Sequence, residues 1–163
     1  MKFKAAVISL ILGLLIWLGL NGTIGRDVLI TGIVVTVITS FFFIGTGIFT
    51  DVRLTPKALF ALVAWLVVFL IELIKSNIDV MSRVVTPKVR INPAIVEVKT
   101  RLKSKLGRLA LANSITLTPG TLTTDIEGDT LFIHWIDASD VDIEGATRKI
   151  VGKFEKYLEV IFG

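Results

Sequence analysis

His134 is the single histidine in a chain of 163 residues that contains no cysteine. Those two facts bound the chemistry available. Without a thiol there is no thiolate nucleophile, cysteine-ligated zinc, iron–sulfur cluster or disulfide, and one imidazole cannot furnish a multi-histidine metal centre. His134 has Asp137 three residues on, and hydroxyls crowd Ser114-Ile115-Thr116-Leu117-Thr118-Pro119-Gly120-Thr121-Leu122-Thr123. Neighbours along one strand do not make a triad, however, and no G-x-S-x-G elbow, Walker loop or dinucleotide fingerprint is present. The hydroxyls around Thr118, Pro119, Gly120 and Thr121 suit a rigid turn whose side chains bind local backbone. The expectation is a structural turn motif, with no catalytic residue, metal ligand or cofactor, in a chain that is not an enzyme.

Ion transport asks for different residues. Moving protons or cations through a bilayer needs ionisable or coordinating groups at depth, because a bare charge in hydrocarbon costs several kcal/mol or more. Glu72 is the nearest such group, and Lys75 lies three residues on, close enough to pair with it on a helix. Both read as interfacial anchors. Gly32, Thr36 and Ser40 recur at i, i+4 and i+8, which lines small residues along one helix face where another backbone can approach. Trp17 and Trp65 read as lipid-facing or interfacial.

The elements that would carry these residues divide the chain in two. Hydrophobic residues make up 53% of the sequence and the mean hydropathy is +0.78, well above ordinary soluble composition. Residues 1–74 hold five of the 18 basic and three of the 14 acidic side chains. A spanning helix needs about 20 mostly apolar residues, and three stretches approach or meet that. Ala5 to Gly25 has no ionisable group, with Ala5 to Leu20 continuously apolar; Val28 to Phe49 is uncharged; Ala58 to about Ile74 follows Pro56, a residue suited to the first helical position. Lys2 and Lys4 before an apolar run resemble a signal peptide, but no A-x-A cleavage site follows, so a retained helix is expected. Three crossings set Lys2, Lys4, Arg53 and Lys57 against Arg26 and every basic residue after Ile74. The longer basic run favours a cytoplasmic C-terminus and an external N-terminus.

Past Ile74 the helix turns amphipathic and stops at Pro87. A β-branched stretch from Val89 to Val98, interrupted at Asn92-Pro93, reads as a strand, and Lys103 to Asn113 as a short helix. Thr121 to Ile126 and Leu131 to Asp137 form a hairpin, with Leu131, Ile133 and Trp135 on one face. A final helix opens at Ser139-Asp140-Val141-Asp142, with Ile143, Ile150, Phe154, Leu158 and Ile161 as its buried stripe. The expected architecture is an α-helical membrane region of about three transmembrane helices (1–77) and a small cytoplasmic α+β domain, roughly β-α-β-β-α (78–163). Residues 75–108 carry nine basic and two acidic side chains, and 109–163 four and nine. The first group forms a collar suited to anionic lipid; one aromatic-poor basic run gives no reason to invoke nucleic acid.

Leu111-Ala112-Asn113-Ser114-Ile115-Thr116-Leu117-Thr118-Pro119-Gly120-Thr121-Leu122 resembles the signature of the E-type subunit of the multisubunit Mrp (or Mnh) cation/proton antiporters. The likeness continues through Glu72-Leu73-Ile74-Lys75-Ser76-Asn77, Pro87, Asn92-Pro93-Ala94-Ile95-Val96 and Leu131-Phe132-Ile133-His134-Trp135-Ile136-Asp137, and so covers nearly the whole chain. It implies a multi-pass cell-membrane protein, an accessory subunit in a hetero-oligomer with other integral membrane antiporter subunits that carry the sodium and proton pathways. Similar subunits in membrane-bound hydrogenases and related respiratory complexes are the alternative setting; a stand-alone, membrane-anchored lipid-binding module is a further one. The resemblance transfers no catalytic residue.

Overall fold

The computed structural model describes residues 2–46, 51–87, 91–138 and 142–163, and divides the chain into two compact units, Met1–Val52 and Arg53–Gly163. That division concerns compactness, a different property from the change of composition near residue 77.

The first unit is a helical pair, α1 (Lys2–Asn21) and α2 (Arg26–Thr46). Gly22 closes α1 with a φ of +65°, its amide bonding Leu18 O at 3.0 Å, the usual use of glycine just past a helix end. Small residues let the two helices come close. A Cβ on Gly13 would stand 2.6 Å from Thr36 Cγ2, and one on Gly32 would stand 2.5 Å from Trp17 Cδ1. Thr36 and Ser40 are 3% and 4% exposed. The neighbour of the Gly32, Thr36 and Ser40 stripe is therefore α1 of the same chain. Trp17, expected to be lipid-facing or interfacial, is half-buried over Gly32 and donates its indole N–H to Val28 O at 3.0 Å.

The second unit opens with α3 (Pro56–Val85), a 30-residue helix. Thr55 caps it by accepting the Ala58 amide at 3.1 Å, with Pro56 in the first turn. By length and composition α3 is the described helix that qualifies as a membrane span, and Ala5–Asn21 is a shorter apolar helix. The α+β part follows as β1 (Ala94–Lys99), α4 (Lys105–Thr116), β2 (Thr121–Glu127), β3 (Thr130–Trp135), α5 (Ile143–Ile150) and α6 (Glu155–Phe162). The sheet is antiparallel in the order β1-β3-β2. Ala94 pairs with Trp135 and Lys99 with Thr130, while the β2–β3 register shifts between Thr123 and Asp125. Alternation then sends Val96, Val98, Leu131 and Ile133 inward onto Leu111, Ile115, Val151, Phe154 and Leu158.

Three expectations change. The helix expected to end at Asn113 runs to Thr116, capped at its start by Ser104, which accepts the Gly107 amide. The single C-terminal helix is two, making the domain β-α-β-β-α-α. Gly152 sits at the break, its amide reaching back five residues to Thr147 O at 3.1 Å, and a Cβ there would meet Arg148 O at 2.7 Å. Glycine weakens a helix interior by about 1 kcal/mol, and Val151 and Phe154 on either side of it are both buried in the core. Ile143, at the first position of α5, is 44% exposed instead of buried. Asp142 is the residue that caps α5, accepting the Gly145 amide at 3.0 Å, whereas Ser139 and Asp140 lie outside the described residues.

The close approach of α1 and α2 predicts that Gly32→Leu, colliding with Trp17, lowers the stability of the helical pair by roughly 1–3 kcal/mol. Gly19→Ala, with nothing within 4 Å of the added methyl, leaves it unchanged or slightly higher. Thermal unfolding of the full chain in mild detergent distinguishes the two.

Candidate functional site

One face of α3 is covered by the domain along its length. Ala61, Trp65, Val68 and Phe69 recur at helical spacing and pack against the domain core. Trp65 stacks on Phe69 with centroids 5.9 Å apart and donates its indole N–H to Ser114 Oγ at 3.2 Å. Trp65, expected to be lipid-facing or interfacial, is half-buried against the domain, where its polar edge has a partner inside the protein.

Farther along the same face the side chains become polar. Glu72, Ser76, Asp79 and Arg83 line a cleft of about 530 Å³ with the Thr118–Thr121 turn, the end of β3 and the α5 side chains Arg148 and Lys149. Glu72 accepts from Lys75 Nζ at 3.0 Å and from Lys153 Nζ at 2.6 Å. Arg83 bonds Asp79 and, across the cleft, Asp137, each at 2.9 Å. Those hydrogen bonds, Asp79 first and then Asp137, hold the Arg83 guanidinium above its already high ordinary value, outweighing the opposing effect of desolvation. Lys149 stands 5.9 Å over the Trp135 ring. The cleft is lined by five basic and three acidic side chains.

The signature turn forms the opposite wall. Pro119 precedes Gly120, whose φ is +94°, the pattern of a type II turn. Thr118 and Thr121 both donate their hydroxyls to Ile115 O at 2.7 Å, and Thr123 donates to Ala112 O at 3.2 Å. The bonds to Ile115 O add to the Thr118 amide in satisfying a carbonyl of the last turn of α4, and the bond to Ala112 O ties β2 to the same helix. Gly120 brings the turn close to its neighbours: a Cβ there would lie 3.1 Å from Ile136 Cγ2 and 3.9 Å from Val80 Cγ2 of α3. The turn thus props the sheet against α3.

His134 lies elsewhere. It is exposed in β3, in register with Ile95 and Leu122, and does not line the cleft. Among the described residues no three of His, Cys, Asp and Glu gather as metal ligands. The basic collar is dispersed. Lys99 pairs with Asp129 at 3.3 Å, Arg101 with Glu155 and Glu159 at 3.3 Å each, and Arg108 with the Leu102 and Gly128 carbonyls. Lys88 and Arg90 lie outside the described residues, and Lys103 and Lys105 are exposed. Lys153 and Asp137 escape sequence reasoning as partners of α3, since nothing local links either to a helix more than fifty positions away. The Asp79–Arg83 spacing of four is a legible signal.

A long apolar helix sharing its core with a small α+β domain, with carboxylates and cations neutralising each other where the two meet, defines a class of membrane-complex subunit. Residues 10–161 match the family model described as Na+/H+ ion antiporter subunit, MNHE. The Na(+)/H(+) antiporter E subunit of Bacillus subtilis (strain 168) is 34% identical over 147 residues, covering 89% of this chain and 90% of that protein. Its counterpart in Alkalihalophilus pseudofirmus is 39% identical over 102 residues, covering 61% and 63%. A chain in the solved structure of the membrane-bound sulfane sulfur reductase, an archaeal respiratory membrane complex, is 43% identical with a TM-score of 0.84, covering 98% of this chain and 99% of that one. The chain belongs to the E-type subunit family of Na+/H+ antiporters.

Gly120→Ala is expected to destabilise the domain by about 1–3 kcal/mol, since alanine resists this positive φ and its methyl crowds Ile136. Lys153→Ala leaves Glu72 with Lys75 alone and should cost less. Unfolding of the full-length chain followed by tryptophan fluorescence, with Trp65 and Trp135 bordering the affected contacts, measures both.

Proposed function

We propose that this chain is an accessory subunit of a multisubunit membrane Na+/H+ antiporter complex, needed for assembly or stability and neither forming the ion path nor acting as an enzyme. One observation carries the reading. The apolar stretches Ala5–Gly25 and Val28–Phe49 contain no ionisable group, and Glu72, the carboxylate nearest to membrane depth, is held between two lysines. A relay needs a group free to exchange its proton or ion at depth. The membrane placement we propose is multi-pass in the cell membrane, with the α+β domain cytoplasmic beside its basic residues. Other integral membrane subunits are its partners, and anionic lipid meets the collar at exposed positions such as Lys103 and Lys105.

A second setting has its own support. Identity to the sulfane sulfur reductase chain, at 43% over nearly the full length, exceeds that to the Bacillus subtilis antiporter protein at 34%. The equivalent antiporter-like subunit of a hydrogenase-type or related respiratory complex fits the same structure. The stand-alone lipid-binding module has less support, because the collar residues Lys99, Arg101 and Arg108 are engaged within the domain.

Deleting the chain is expected to impair sodium tolerance or to fragment the host complex during native purification. Mass identification of the copurifying chains separates the settings: antiporter subunits alone indicate the first, and hydrogenase or flavin subunits the second. Normal assembly and transport without the chain, or sodium movement by the isolated polypeptide in vesicles, would overturn the accessory role.

A further inference from the structure

We propose that α3 does not cross the bilayer but lies in the plane of the membrane surface, roofed by the α+β domain on one face and bedded in lipid on the other. The chain then has two crossings, α1 and α2, and Lys2 and Lys4 share a side of the membrane with the domain. The inference rests on the membrane placement proposed above, not on the antiporter role.

The domain touches α3 from one end to the other. Before the helix begins, the Arg53 amide bonds Ile161 O at 2.8 Å; at Glu72 the partner is Lys153 at 2.6 Å. Those two contacts fix α6 antiparallel beside the first half of α3, the half whose hydropathy marks it as a span. Alongside that half run Glu155, Lys156 and Glu159, with Arg101 bonded to both glutamates at 3.3 Å. If Ala58 to Ile74 occupied the hydrocarbon, these charges would be carried to membrane depth with it, each at a cost of several kcal/mol. Contact continues to the far end, where Arg83 meets Asp137 at 2.9 Å. A 30-residue helix is about 45 Å long against a hydrocarbon thickness of about 30 Å, so no part of α3 long enough to span is free of the domain.

The opposite side of α3 carries an apolar stripe, flanked by exposed Lys57, Lys75, Asn77 and Ser82. Phe60, Val67, Ile74, Ile78, Met81 and Val85 follow it from end to end, 50–77% exposed. The charged residues Glu72, Asp79 and Arg83 lie on the covered side. The apolar face persists about ten residues beyond Ile74, where a spanning helix would already have emerged into water. One apolar face of this length, parallel to a polar body, is the pattern of a helix lying at the boundary between headgroups and acyl chains.

Charge distribution along the sequence agrees, independently of the fold. Counting basic residues close to the spans, three crossings set Lys2, Lys4, Arg53 and Lys57 against Arg26, Lys75, Arg83, Lys88 and Arg90, a weak asymmetry that only the longer run beyond them tips. Two crossings gather Lys2, Lys4, Arg53, Lys57 and the collar on one side and leave only Arg26, next to Asp27, on the other. That is the asymmetry expected of a cytoplasmic face.

The absence of native cysteine makes the test direct. Thr23→Cys, Leu54→Cys and Glu144→Cys are introduced singly at exposed positions and labelled in the assembled complex, in intact cells and inverted vesicles, with a membrane-impermeant maleimide. Leu54 and Glu144 are expected to label only from the inside and Thr23 only from the outside. Leu54 labelling from the outside with Glu144 inside restores the three-crossing arrangement and overturns the inference alone. Thr23 labelling from the same side as Leu54 overturns the membrane placement, and the inference with it. A fluorophore at Phe60→Cys, Val67→Cys or Ile78→Cys, sites spread over about 27 Å of helix, supplies the second readout. Nitroxide lipids are expected to quench all three at one shallow depth. Deeper quenching at Val67 than at its neighbours, or loss of lipid quenching at all three, overturns the lipid assignment, the latter by showing a protein neighbour on that face.

Discussion

The face of α3 that carries Ala58, Ala61, Trp65, Phe69, Glu72 and Arg83 is the surface on which the second unit of this protein is assembled. Its first half is a hydrophobic contact. Small side chains at Ala58 and Ala61 let α6 approach, and Trp65 fills the space left while its N–H is taken by Ser114. Its second half is electrostatic, with Glu72 between two lysines and Arg83 between two aspartates. The division suits the physics of each part. Apolar burial supplies non-directional attraction, whereas the paired charges fix register along the helix, since a slide of one turn would break the contacts to Lys153 and Asp137 together. Exposed pairs are individually weak, but pairs in a partly enclosed cleft have less water competing for them.

Behind that contact the domain is braced at its own expensive point. Glu155 is buried, which is costly for a carboxylate unless its oxygens are satisfied. Thr100 Oγ1 donates to it at 2.6 Å and the Arg101 amide at 2.7 Å. The bonds tie the segment after β1 to the start of α6, and so link the sheet to the helix that touches α3. The turn at Gly120 makes a second link from the sheet to α3 near Val80. The segment that most resembles a family signature is thus a joint. Its hydroxyls are spent on backbone carbonyls, which explains why so many threonines occur together without any base to activate them.

Much of this is legible in the sequence. Pro56 at the start of α3, the strand pair around Gly128, the small-residue stripe on α2 and the alternation of Leu131 and Ile133 each follow from local rules. What is not legible shares a cause. Hydropathy averages around a helix and does not separate a segment apolar because lipid surrounds it from one apolar because half faces a core and half faces elsewhere. Trp65 therefore reads as lipid-facing or interfacial, although its indole meets Ser114 of the domain. The C-terminal helix reads as continuous because its apolar spacing runs on across Gly152, where the structure breaks it. Lys153 is invisible as a partner of Glu72 for the simpler reason that sequence distance conceals it.

The physical consequence for a membrane assembly lies in how stiffness is distributed. A subunit that conducts needs titratable groups at depth and room for them to change partners. Here the long helix and the domain share one core and a row of neutralised charges, so they respond to force as one body. The helix that this body is built on is about 45 Å long, the length of 30 residues. The helical pair α1 and α2, packed glycine to side chain with its small-residue stripe already occupied by its own partner, leaves large apolar side chains outward and so offers lipid and other helices a smooth surface. Packing of this sort constrains where a neighbouring helix can approach, because the closest-packing face of the pair is already filled.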